Sequence, residues 1–192
     1  MANTAFADTT LANTRKDGYW TSGVMIEKSN PQPLLFRSIV ASNKDSTSLA
    51  FDIDPSCSKV SLSLIAYVQK GADASGLLNN GSFQARVDNK GIYGGRWLSS
   101  SNEMGDKLIF ITLYPNNQAD LIRDTRSGTT LRLKLTITGD SDGAVYLKFP
   151  LAGSNAAMLR SAELCLALQT RSPSPGSRNP RRSTPKSDAD YF

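Results

Sequence analysis

From Trp20 onward, apolar and polar residues alternate in short segments broken by turn residues, the period of half-buried β-strands. "SGVMIEKS" and "LLFRSIVAS" are predicted as the first two strands, parted by Asn30-Pro31-Gln32-Pro33, where two prolines fix φ. "SLAFDID" puts Leu49, Phe51 and Ile53 on one face and Ala50, Asp52 and Asp54 on the other, and "KVSLSLIAYV" groups Val60, Leu62 and Leu64. In "NNGSFQARVDNKG" an Asn-Gly turn signal precedes alternating Phe83, Ala85 and Val87, and a second turn follows at Asp88 to Gly91. "IYGGRWLSS" reads as a strand in which Gly94-Gly95 permits a bulge or a close backbone approach beside Trp97. "DKLIFITLY" is apolar on both faces, which predicts a central strand.

Two helices interrupt the pattern. "NNQADLIRDTRSG" offers an Asn cap, Leu121 and Ile122 as inward residues, and Gly128 as a stop. "TTLRLKLTI" then alternates strictly, with Leu131, Leu133, Leu135 and Ile137 inward and Arg132, Lys134 and Thr136 toward water. "AVYLKF" repeats the alternation through Val145, Leu147 and Phe149 after the turn "GDSDG", so the two segments predict a hairpin. Gly153-Ser154 supplies a break and an N-cap for a helix from about Ala156 to Leu168, on which Met158, Ala162 and Cys165 share a face. The predicted fold class is mainly β: a two-layer antiparallel β-sandwich with a short inserted helix and a C-terminal helix. The predicted organisation is a flexible arm over residues 1–17, a single domain over 18–169, and a basic Pro/Ser-rich tail over 170–192 too poor in apolar residues to order itself.

Composition narrows the chemistry. The 192 residues contain no histidine, which removes the commonest general base and the usual partner of a Ser or Cys nucleophile. The reading is therefore not an enzyme, with no catalytic residues, metal or cofactor assigned. No apolar run reaches the roughly 20 residues a membrane-spanning helix needs. The net charge of +5 is uneven: residues 171–192 hold five Lys or Arg and two Asp, which leaves 17 basic and 15 acidic residues elsewhere. A pI of 9.3 thus says little about the folded part. Cys57 and Cys165 are the only cysteines; they are either one disulfide or two buried free thiols. The opening "MANTAFADTTLANTRKDG" lacks the apolar stretch of a signal peptide, which fits a cytoplasmic protein or a mature form whose leader was removed.

The order "VDN", "DLIRDTRSGTTLRLKLTI", "VYLKFPLAGSNAAMLRSAELC" resembles the invasion-associated locus B family and its looser relatives in bacterial envelopes. The resemblance covers residues 81–168, and "DGYW" matches the tryptophan that often opens such domains. Phe149, Leu151, Gly153, Ser154 and Ala157, which carry it, are residues that a strand-to-helix corner needs. It implies a small β-sandwich, export to the envelope or periplasm, and association with host invasion or secretion machinery. It supplies no catalytic residues, and the basic tail departs from it.

Other features have a plain and a functional reading. Asp52 and Asp54 share a strand face, as paired carboxylates would, or form a solvated strand end. Asp140 and Asp142 are similar to the start of a calcium loop whose remaining ligands are missing, and a hairpin turn explains them. Tyr93, Arg96 and Trp97 could form a stacking platform for a carbohydrate or peptide, or be core and rim. Arg178, Arg181, Arg182 and Lys186 could dock the tail on nucleic acid or an acidic protein, or only solubilise it. "NGS" at Asn80 to Ser82 is an Asn-Gly turn, and a glycosylation acceptor only in a eukaryotic secretory pathway. The function expected is a non-enzymatic binding or accessory protein of the bacterial envelope, linked to secretion, conjugation or invasion, with another protein as partner. The alternative is an effector or viral structural protein whose tail docks on nucleic acid or an acidic partner.

Overall fold

The structure, a computed structural model, describes residues 9–42, 47–68, 80–101, 107–138 and 143–171. Its strands are β1 (Thr9–Asp17), β2 (Trp20–Glu27), β3 (Pro33–Ala41), β4 (Thr47–Ile53), β5 (Val60–Val68), β6 (Asn80–Val87), β7 (Ile92–Ser101), β8 (Lys107–Pro115), β9 (Thr130–Ile137) and β10 (Ala144–Pro150). Helix α1 (Gln118–Ser127) lies between β8 and β9, and α2 (Ser154–Arg171) follows β10. The strands form one antiparallel sheet in the order β1-β2-β3-β4-β5-β8-β7-β6-β9-β10. "DKLIFITLY" is central, as its two apolar faces predict, and β9 and β10 form the expected hairpin.

The two layers are the two halves of this sheet curled toward each other. Direct pairs in an antiparallel ladder share a face, so one row runs Val40, Leu49, Leu64, Ile111 and the next Ser38, Phe51, Leu62, Leu113, Trp97. These apolar residues join Phe83, Ala85, Val87, Leu131, Leu133, Leu135 and Phe149 in one buried core. The curl brings distant strands together: Trp20 Nε1 donates to the Pro150 carbonyl at 3.0 Å, and the Tyr19 amide to that of Ala152 at 3.1 Å. Helix α2 closes the concave side over β2 and β3. There a second cluster holds Val24, Phe36 and Cys165, with Ile53, Cys57, Leu164 and Leu168 packed against it.

Three local expectations change. Residues 9–17 are not a loose arm but edge strand β1, which pairs from Thr9↔Glu27 to Asp17↔Trp20 and shifts register between Ala12 and Arg15. An edge strand satisfies its backbone on one side only and buries little, so no alternation marks it. Asn80-Gly81 is not a turn: both residues pair inside β6, Gly81 opposite Trp97 and Ile137, where a Cβ would strike Trp97 and the Thr136 carbonyl. Gly94-Gly95 makes no bulge, since β7 pairs without a shift with both neighbours. Gly95 supplies the close approach instead, against the Phe83 ring.

Candidate functional site

The corner after β10 shows how the sequence fixes the site's frame. Gly153 has φ +96°, and the Ala157 amide donates to its carbonyl at 3.0 Å, so Gly153 occupies the cap position expected of Ser154. The Ser154 hydroxyl, buried, donates to the Thr125 carbonyl at 2.8 Å and ties α2 to α1. Further along α2, Ser161 donates to the Arg37 carbonyl at 3.0 Å and shares a 2.7 Å hydrogen bond with Ser38. Arg160 reaches the Ser22 and Asn13 carbonyls at 3.0 and 2.7 Å. Cys165 then meets Cys57, which has φ +58° in the turn between β4 and β5, in a disulfide with a Cα–Cα distance of 5.9 Å. The alternative left open by the sequence, two free thiols, is not what the structure contains.

The carboxylates singled out from the sequence separate. Asp52 is buried and receives two 2.8 Å hydrogen bonds from Arg37 Nε and Nη2, a bidentate pair. Asp54 instead organises the turn, accepting from the Ser58 and Lys59 amides at 2.9 Å each and from Ser56 Oγ. The Ser56 hydroxyl, then these amides, hold its carboxyl below the usual carboxylate range. Asp140 and Asp142, and the tail residues Arg178, Arg181, Arg182 and Lys186, lie outside the described residues.

Tyr93, Arg96 and Trp97 do not form one platform. Trp97 is 1% exposed, and its indole N–H donates to the Ser82 and Thr136 carbonyls at 3.1 and 3.2 Å, pinning β7 across β6 to β9. Tyr93 shares its concave face and donates to Asp124 Oδ2 at 2.5 Å, while Lys90 Nζ donates to Asp124 Oδ1 at 3.0 Å. Its hydrogen bond to that carboxylate, with some burial, pushes the Tyr93 phenol up to about 12. The Tyr93 and Lys90 bonds together lower the Asp124 carboxyl. Arg96 alone points to the convex face, because neighbours along a strand alternate.

That convex face of β7, β6, β9 and β10 holds what sequence reading missed. Register places Ile92, Arg86, Arg132 and Lys148 side by side in one row, and Gly94, Gln84, Lys134 and Tyr146 in the next. Beyond them lies Arg96 with Ser82, Thr136 and Tyr114. Ile92 and Tyr146 are about three-fifths exposed (62% and 60%), and Lys134 Nζ sits 5.8 Å from the Tyr146 ring centre. The four strands contain Arg86, Arg96, Arg132, Lys134 and Lys148 and no Asp or Glu. A signal for this was present in β9 and β10, whose outward residues include Arg132, Lys134 and Lys148, but alignment with Arg86 depends on strand order.

No protein-family model matches the chain, and none of the curated proteins does. Among solved structures, it is similar to the crystal structure of invasion associated protein B from Bartonella henselae, at 17% identity and a TM-score of 0.48, over 83% of this chain and 99% of that one.

Proposed function

We propose that this is a non-catalytic binding or accessory protein of the bacterial envelope, working through its surface as part of a secretion, conjugation or host-invasion system. The observation that carries the reading is the Cys57–Cys165 bridge, because disulfides persist in oxidising compartments such as the periplasm and are rare in the cytosol. Two further points support it. The chain has no histidine, and the groups with the most chemical promise are committed to the fold: Asp52 to Arg37, Asp54 to its turn, Tyr93 to Asp124. The association with secretion or invasion is supported by the sequence pattern of residues 81–168.

The test is a thiol count on protein taken from its native host, alkylated before and after reduction and weighed by mass spectrometry. The expected result is no alkylation at Cys57 or Cys165 before reduction and one label on each afterwards. Two labels without reduction would place the chain in a reducing compartment and overturn the envelope reading in favour of the tail-docking alternative.

A further inference from the structure

We propose that the convex face of β6, β7, β9 and β10 is a docking surface for single-stranded nucleic acid, with Arg86, Arg132 and Lys148 holding phosphates and Tyr146 offering a stacking platform. This goes beyond the envelope reading and stands whichever way the thiol count falls.

The argument begins with charge placement. Outside residues 171–192 the chain is nearly balanced, 17 basic residues against 15 acidic, yet every charged residue of four adjacent strands is a cation, and all lie on the convex face. Arg132 pairs directly with Arg86 on one side and Lys148 on the other. Like charges directly opposite each other in a ladder are destabilising, so folding alone gives no reason for three in a row. No ion pair among the described residues involves Arg86, Arg132, Lys134 or Lys148. Arg86 donates to the Lys90 and Asn89 carbonyls at 3.0 and 3.4 Å, and Arg132 to the Asp88 carbonyl at 3.1 Å. These neutral acceptors orient the guanidinium groups without cancelling their charge. The Asp88 carboxylate at the rim accepts from the Thr129 and Thr130 amides at 2.9 Å each, and no ion pair among the described residues joins it to Arg86 or Arg132.

Charge density and shape select the occupant. Neighbouring strands lie about 4.8 Å apart, so the row sets three cations within about 10 Å. A nucleic-acid strand, with about one phosphate per 3.4 Å when stacked, supplies anions that closely. A polysaccharide with one acidic group per disaccharide does not. Beside the row stand exposed Tyr146 and Ile92, and a cationic track with an aromatic surface alongside it is the composition that holds unpaired bases.

The test uses the full chain and a fluorescein-labelled thymine oligonucleotide of about 16 nucleotides, followed by anisotropy from roughly 50 to 200 mM salt. Each lost phosphate contact on a single strand reduces the log–log salt slope by about 0.7. The variant R86Q/R132Q/K148Q is therefore expected to lose about two units of slope, and roughly 100-fold in affinity at 0.1 M salt. K148Q alone, on an edge strand, should lose about 0.7 of a unit and about fivefold in affinity. Y146A should bind about tenfold more weakly with its slope unchanged. Removing repelling charges should leave the melting temperature of the triple variant no lower than that of the parent, which separates lost contacts from lost fold. The tail is present in every sample, so R178Q/R181Q/R182Q/K186Q reports its share separately. The proposal is overturned if the oligonucleotide does not bind at 50 mM salt, or if the triple variant keeps the parent's affinity and slope. It is equally overturned if a sulfated polysaccharide, and not the oligonucleotide, loses its binding in the triple variant.

Discussion

Breaking the Cys57–Cys165 bridge should remove a large part of the protein's stability. The two residues are 108 apart in sequence, so the crosslink closes most of the described chain into one loop. In the loop-entropy model the unfolded chain gains about 2.1 + 1.5R ln 108, or about 16 cal/mol/K, when the bridge opens, which is about 4.8 kcal/mol at 25 °C. Domains of this kind are stable by only about 5–15 kcal/mol in total, and a loss of that size corresponds to roughly 10–20 °C in Tm. The assay is urea unfolding of the oxidised protein, the same protein reduced, and C57A/C165A. Reduction changes only the bond, whereas the double variant also truncates a side chain packed with Val24 and Phe36, so the variant should be the less stable of the two. The oxidised form should also have the smaller m value, because a crosslinked unfolded chain exposes less surface. A reduced protein within about 1 kcal/mol of the oxidised one would refute the entropic reasoning.

The remaining predictions concern the polar contacts of the fold. The highest step in a spectrophotometric tyrosine titration should lie near pH 12 and vanish in Y93F, since Tyr93 is held neutral by Asp124. Because folding favours the protonated phenol, the associated stability is fully present below pH 10 and is lost as pH rises toward 12. Asp124 has the opposite sign: its lowered carboxyl contributes stability at neutral pH that is lost as pH falls below the ordinary carboxylate range, and D124N should flatten that acid limb. D52N should cost about 3 kcal/mol in chemical unfolding by leaving Arg37 buried without its counter-charge, and R37M/D52L should recover most of the loss. G153A should cost about 3 kcal/mol or more, since φ is +96° and the new Cβ would press on the Asp17 carbonyl; an unfolding midpoint equal to the parent's would contradict that corner geometry.

What the sequence could reveal depended on how far apart the deciding residues lie. The core strands were legible because a period of two is a local signal. Leu131, Leu133 and Leu135 are 2%, 2% and 3% exposed, as their alternation requires. Helix α1 was legible for the same reason: Asn117 Oδ1 accepts from the Asp120 amide at 3.3 Å, and the Gly128 amide closes the helix on the Asp124 carbonyl at 2.9 Å. Edge strand β1 was missed although its hairpin carries a local marker, Asp17-Gly18, with Gly18 at φ +59°; the polar "TTLANTRKD" gave no apolar face to support it.

The convex face is different in kind. Arg132 and Lys134 read correctly as water-facing from β9 alone, and Arg86 and Lys148 read equally plainly as outward residues of their own strands. Their alignment is a property of register: the β9–β10 hairpin sets Lys148 beside Arg132, but Arg86 joins the row only because β9 also pairs with β6, a pairing that no local pattern dictates. Conversely, Arg96 and Trp97 look like one site because they are adjacent in sequence, while the pleat sends one to solvent and the other into the core. Adjacency along a strand separates side chains, and adjacency across strands gathers them. For a β-protein of this size, a binding surface is therefore to be sought along the rows of the sheet, and the Arg86–Arg132–Lys148 row is where this chain concentrates a charge that no ion pair among the described residues answers.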